Sequence, residues 1–179
     1  VGGSPLQALK AWSNNGRAAV KDWMGGGENV RTKDAALMHQ PPETFVSMLV
    51  LDGVLDRHPK LRGAVVELGA GWVPEMVSRL DWVTKIYGRV DESVRFERPP
   101  SVQLAEQMGF TPFPHEDVSN LIDQSNPDLY LFSSDYPHVE GGRNPIGKFE
   151  KSLEDKDDLA KTKFYSENFL RLWPEARVP

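Results

Sequence analysis

The chain has 179 residues, 39% of them hydrophobic and 26% charged, with a formal net charge of −5, the make-up of a globular domain long enough to bury a core. The acidic balance offers no basic surface to nucleic acid, and no apolar run approaches the roughly 20 residues that cross a bilayer. The lack of cysteine removes disulfide and thiolate chemistry and agrees with a reducing cytoplasm, the expected location.

The N-terminus, VGGSPLQALKAW, carries neither an initiator methionine nor a signal-peptide pattern and reads as a start inside a longer protein. Residues 1–42 are rich in Gly, Asn and Pro, with WMGGGENV and HQPPE as breaks and PLQALKAW as a short helical pattern. From Glu43 to Arg57, the positions Phe45, Val46, Leu49, Val50, Val54 and Leu55 recur at helical spacing, and Pro59 closes the helix. GAVVEL (63–68) is a β-branched run expected as a buried strand, followed by a GAG loop. Trp72, Val73, Met76, Val77, Leu80 and Val83 then mark a second amphipathic helix.

Residues 88–107 are charged and interrupted by proline, an irregular excursion with a short helix near Val102–Gln107. MGFTPFP (108–114) is expected as a short strand closed by prolines, and HEDVSNLI (115–122) as a helix whose early acidic residues suit its N-terminal dipole. LYLFS (129–133) is the next strand, and NPIGKFEKSLE and DDLAKTKFYSENFLRLW are two terminal helices. Strands alternating with helices predict one α/β domain, residues 1–179, built on a parallel sheet with crossover helices.

In parallel α/β folds ligands gather beyond the carboxyl ends of the strands. GAVVEL delivers Glu67 there, and LYLFSSD delivers Asp135, with His138 close behind. Carboxylates and an imidazole so placed could hold a divalent metal or share acid–base work. An Asp after a strand is also a common turn cap, and His138 could simply orient its loop. Glu67 inside an apolar run needs a partner in either case. His58 suits a helix end, His39 and His115 carry no functional signal, and Trp72, just after ELGAG, is the best pocket-wall candidate among the five tryptophans.

The stretches LDGVLDRHPKLRGAVVELGAGWVPEMVSRLDW, GFTPFPHEDV, LYLFSSDYPHVEGGRNPIGKFE and KFYSENFLRLW together resemble the amidohydrolase-related family. This is the branch of metal-dependent hydrolases that includes aminocarboxymuconate-semialdehyde decarboxylase and the resorcylate-type decarboxylases. The resemblance runs from about Glu43 onward. It implies the C-terminal portion of a (β/α)8 TIM barrel, with GAVVEL, MGFTPF and LYLFSSD as strands six, seven and eight, and residues 1–42 as a loop-rich excursion after a missing strand five.

The resemblance also implies that Asp135 is both metal ligand and acid–base catalyst. It puts Glu67 at the strand-six position where many relatives carry a histidine ligand. The family's His-x-His pair has no counterpart in this sequence. Further implications are one divalent metal ion, with zinc the first choice, and a small carboxylated or cyclic organic acid as substrate, hydrolysed or decarboxylated. His138, Arg143 and Trp72 would contact that substrate, and the relatives suggest a homodimer. The rival expectation is a non-catalytic α/β module or inactive fragment whose acidic residues only cap loops and pair with arginines.

Overall fold

Two short apolar runs, Gly63–Val65 (β1) and Met108–Phe110 (β2), pair in parallel, Gly63 opposite Met108 and Val65 opposite Phe110. They lie at the centre of a computed structural model that describes residues 36–136 and 141–177. The PLQALKAW helix expected near the N-terminus falls outside the described residues. The connection from β1 to β2 runs through α3 (Val73–Tyr87) and α4 (Pro100–Gln107), the crossover that parallel pairing requires. No helix among the described residues is long and apolar enough to cross a membrane.

The helix expected over 43–57 divides into α1 (Gln40–Leu51) and α2 (Val54–Arg57). Pro41 and Pro42 start α1 instead of breaking it, because the first turn has no use for their missing N–H groups. The break comes at Gly53, whose φ of 66° is left-handed, and Arg57 closes the turn by donating from Nη1 to the Asp52 carbonyl at 2.7 Å. Val46, Val50 and Leu55 enter the core as their spacing predicts, whereas Phe45, one step off that face, is 64% exposed. In α3 the buried residues are Val73, Pro74, Met76, Val77 and Leu80, again one face of the helix.

Helix α5 (Val118–Gln124) starts three residues later than the reading from His115. The Asp117 carboxylate sets that start by accepting from the Asn120 N–H at 3.2 Å, an N-cap bond. The expected helix over Val102–Gln107 extends back to Pro100, and strands β1 and β2 are shorter than GAVVEL and MGFTPFP suggested.

LYLFS differs most from its expected form. It pairs with β2 through a single parallel bridge, Tyr130 to Phe110, with the Leu131 N–H donating to the Phe110 carbonyl at 2.9 Å. The C-terminal helices take two of its other backbone groups, the Tyr130 carbonyl and the Phe132 N–H. Asn168 donates through Nδ2 to the carbonyls of Pro127 (2.8 Å) and Tyr130 (2.9 Å), and the Phe132 N–H donates to the Phe164 carbonyl at 2.9 Å. A segment whose edge is held by helices cannot continue as a ladder.

After α6 (Pro145–Ser152), the expected single terminal helix is α7 (Asp158–Thr162), a π turn (Lys163–Glu167) and α8 (Asn168–Leu172), without interruption. The π turn widens the helix where the Phe164 carbonyl reaches Phe132. Aromatic packing surrounds this junction: Phe164 lies 5.1 Å from Phe149 and Tyr165, and Phe132 lies 5.7 Å from Phe149.

Candidate active site

Because β1, β2 and the Tyr130 bridge run in the same direction, the residues that follow each of them emerge at one edge of the sheet. Thr111, one residue past β2 and 5% exposed, links the first two segments. Its N–H donates to the Val65 carbonyl at 3.1 Å, and its Oγ1 accepts from the Glu67 N–H at 3.1 Å. Glu67 and Asp135 therefore leave the sheet at the same edge. Glu67 is exposed there, while Asp135 is 8% exposed.

Both carboxylates share an unusual backbone. Glu67 has φ 64° and Asp135 φ 54°, and among the described residues they are the non-glycine residues with positive φ. Such a conformation costs on the order of 1 kcal/mol and persists where the surroundings over-determine it. Around Asp135 the surroundings are two serine turns and a glycine. The Asp135 N–H donates to Ser133 Oγ and the Tyr136 N–H to Ser134 Oγ, each at 3.3 Å. Gly141 returns so close that a Cβ there would stand 2.3 Å from the Ser134 carbonyl oxygen. Gly141 and the two serines thus hold the aspartate turn from both sides.

Trp72 is half-buried, with its indole N–H donating to the Gly69 carbonyl at 3.0 Å and its ring edge-on to Phe110 at 5.5 Å. It lines a cleft of about 400 Å³ together with Leu68, Phe113, Glu116, His39 and His115. The two histidines that carried no functional signal in the sequence both line this cleft, from distant parts of the chain. Phe113 stacks on His115 at 5.6 Å. Arg143 is exposed on the loop before α6, outside the residues lining this cleft. His138 lies outside the described residues. Below the edge, burial pushes the Tyr130 phenol well above its ordinary pKa, so it stays a neutral hydroxyl that donates to the Leu121 carbonyl at 3.2 Å.

Sequence reading missed Thr111 and Glu116. Thr111 hides in a strand-like run, and Glu116 reads as one of several acids at a helix start. As donors for a divalent cation, the Glu67 and Asp135 carboxylates are right in kind. They fall short in number, because a catalytic zinc takes three protein ligands and no three His, Cys, Asp or Glu converge among the described residues.

Comparison with known proteins bears on the same edge. A search of the curated proteins finds no match. Among solved structures, the chain is similar to an amidohydrolase from Mycobacterium avium subsp. paratuberculosis K-10, at 26% identity and a TM-score of 0.65. The match covers 82% of this chain and 37% of that one, so the chain spans little more than a third of that protein's length. The amidohydrolase family model matches residues 5–174, which takes in β1, β2, the Tyr130 bridge and both strand-end carboxylates. With nearly the whole sequence accounted for by that match, the chain belongs to the amidohydrolase family.

Proposed function

We propose that this chain is the part of a (β/α)8 barrel holding strands six to eight, in a metal-dependent hydrolase or non-oxidative decarboxylase of small carboxylated or cyclic organic acids. The observation that carries the reading is Asp135: a largely buried carboxylate at the carboxyl edge of a parallel sheet, held in a left-handed turn, within a chain of the amidohydrolase family. Asp135 and Glu67 would contribute oxygen ligands to one divalent ion, zinc by first choice. Such an ion supplies polarisation of a substrate carbonyl or acidification of a water molecule.

Asp135 itself accepts and returns the proton at its carboxylate. A turn held by Ser133, Ser134 and Gly141 fixes where that proton is exchanged. The apolar face of Trp72, with its N–H already committed to Gly69, excludes water from one side of the substrate. His138 and Arg143 would meet the anionic group of the acid from the loop after Asp135. A homodimer working in the cytoplasm completes the proposal.

The test is Asp135→Asn in the full-length protein. Asparagine caps turns about as well as aspartate and tolerates the left-handed conformation, so the fold should survive. Turnover should fall by roughly a hundredfold to ten-thousandfold, the usual worth of general acid–base catalysis. Activity within a few-fold of wild type would reduce Asp135 to a turn residue.

A further inference from the structure

The glycines of ELGAG and the glutamate of PHEDV, about 45 residues apart in the chain, meet in the fold. Glu116 Oε1 accepts from the Gly71 N–H at 2.6 Å, and Oε2 accepts from the Phe113 N–H at 2.6 Å. The Ala70 N–H is shared between the two oxygens, at 3.2 Å from Oε1 and 3.0 Å from Oε2. One carboxylate thus gathers three backbone amides from the loops that follow β1 and β2. Hydrogen bonds to an ionised acceptor are roughly twice as strong as neutral ones.

The glycines make room for this grip. A Cβ on Gly71 would stand 2.8 Å from Glu116 Oε1, and Gly69, with φ 66°, would bring one within 3.0 Å of the Phe113 ring. The position of the grip is what gives it meaning. Ala70 lies three residues after Glu67, and Phe113 lies two residues after Thr111, whose Oγ1 takes the Glu67 N–H. The left-handed turn at Glu67 is therefore braced twice, directly by Thr111 and through Ala70 and Gly71 by Glu116. Glu43, in the first turn of α1, is engaged instead with Arg79 at 3.1 Å.

We propose that Glu116 is a positioning residue: its carboxylate locks the loops after β1 and β2 together and so fixes where Glu67 is presented at the carboxyl edge. The proposal rests on reading that edge as the reaction site. Glu116 touches no reacting group; it acts through the backbone. With both oxygens committed to amides, an isosteric glutamine would turn an N–H donor toward one of those amides, and that arm of the grip would open.

The experiment uses the full-length protein in three forms, wild type, Glu116→Gln and Asp135→Asn, with zinc chloride alone as the probe. Amide hydrogen exchange is followed at Glu67, Ala70, Gly71 and Phe113, with the amides of α1 and α3 as internal controls. In Glu116→Gln, exchange at Glu67 and at one or more gripped amides should quicken about tenfold or more while the controls keep wild-type rates. Zinc affinity by calorimetry should fall about tenfold, the lower end for residues that orient ligands without binding metal. Unchanged exchange at Glu67 overturns the proposal. So does quickened exchange with zinc affinity within twofold of wild type, because the lock would then serve only the loops. Exchange that quickens in the controls as well overturns it too, since Glu116 would then be supporting the whole fold. Zinc binding indifferent to Asp135→Asn counts against the proposed metal site itself, a result read without any Glu116 variant.

Discussion

Replacing Asn168 should cost more stability than any surface change, and its size can be worked from two bonds. Asn168 is 1% exposed, and its Nδ2 holds the Pro127 carbonyl at 2.8 Å and the Tyr130 carbonyl at 2.9 Å. In Asn168→Ala the Tyr130 carbonyl, fully buried, loses a donor it cannot replace from solvent, a penalty of about 1–3 kcal/mol. The Pro127 carbonyl is only partly buried, so water can answer it, and its loss is about 0.5–1.5 kcal/mol. The sum, about 1.5–4.5 kcal/mol, is a large share of the roughly 5–15 kcal/mol that holds a typical domain together. Asn168→Asp is the sharper variant. Its shape is the same, but an ionised oxygen would face two carbonyl oxygens, so at neutral pH it should be at least as destabilising as alanine. Urea unfolding reads both, as a fall in the midpoint with an unchanged slope. An Asn168→Asp protein within about 0.5 kcal/mol of wild type would mean that Asn168 does not hold LYLF in place, and the account of that segment would be wrong.

Gly109→Ala should destabilise by about 1–3 kcal/mol through overpacking, because the new Cβ would sit 2.6 Å from Leu131 Cδ1 and 2.8 Å from Leu172 Cδ1; urea midpoints check this. The Ser119 hydroxyl, donating at 2.9 Å, is the main cause holding the Asp155 carboxyl below its ordinary pKa, with Lys156 adding to it. A depressed carboxyl stabilises the fold above the usual carboxylate range and stops doing so as pH falls through the folded value. Ser119→Ala should therefore move the Asp155 titration, followed by carboxyl-carbon NMR, back up toward the ordinary range. The Lys156 ammonium works in the other direction: the Asp123 carboxylate raises its pKa, so its contribution holds below the usual lysine range and fades as pH rises through the folded value. Asp123→Asn should lower the Lys156 titration midpoint in the same NMR experiment.

Much of the scaffold was legible because burial leaves a periodic mark. The faces of α1 and α3 and the parallel pairing of GAV with MGF follow from spacing and alternation. The break at Gly53 was harder to see, since a single left-handed glycine hardly disturbs an apolar period. LYLF misled for a different reason. Its composition reads as strand, but its partners, Asn168 and Phe164, come from the far end of the chain, and no local pattern announces them. The site divides in the same way. Glu67, Asp135 and Trp72 stand out because polar or aromatic groups interrupt or follow apolar runs. Thr111 and Glu116 act on backbone amides in loops remote in sequence, and residue type alone carries no trace of that. That His39 and His115 line one cleft is likewise a product of chain closure.

The π turn at Lys163–Glu167 has a consequence for how the C-terminal helix tolerates length changes. Each residue of an α-helix advances the chain roughly 100° around the axis. The π turn takes in one extra residue per turn, so deleting one residue inside it would leave the following helix in phase. Deleting one from α7 would instead swing everything after it by about that angle. Asn168 would leave the carbonyls of Pro127 and Tyr130. Arg171, whose guanidinium caps the Glu106 carbonyl at 2.6 Å and the Asp128 carbonyl at 2.8 Å, would face away from both. The irregular turn therefore absorbs a residue without changing the phase. It gives up helical regularity over five residues and keeps two side chains aimed at the segment that leads into Asp135.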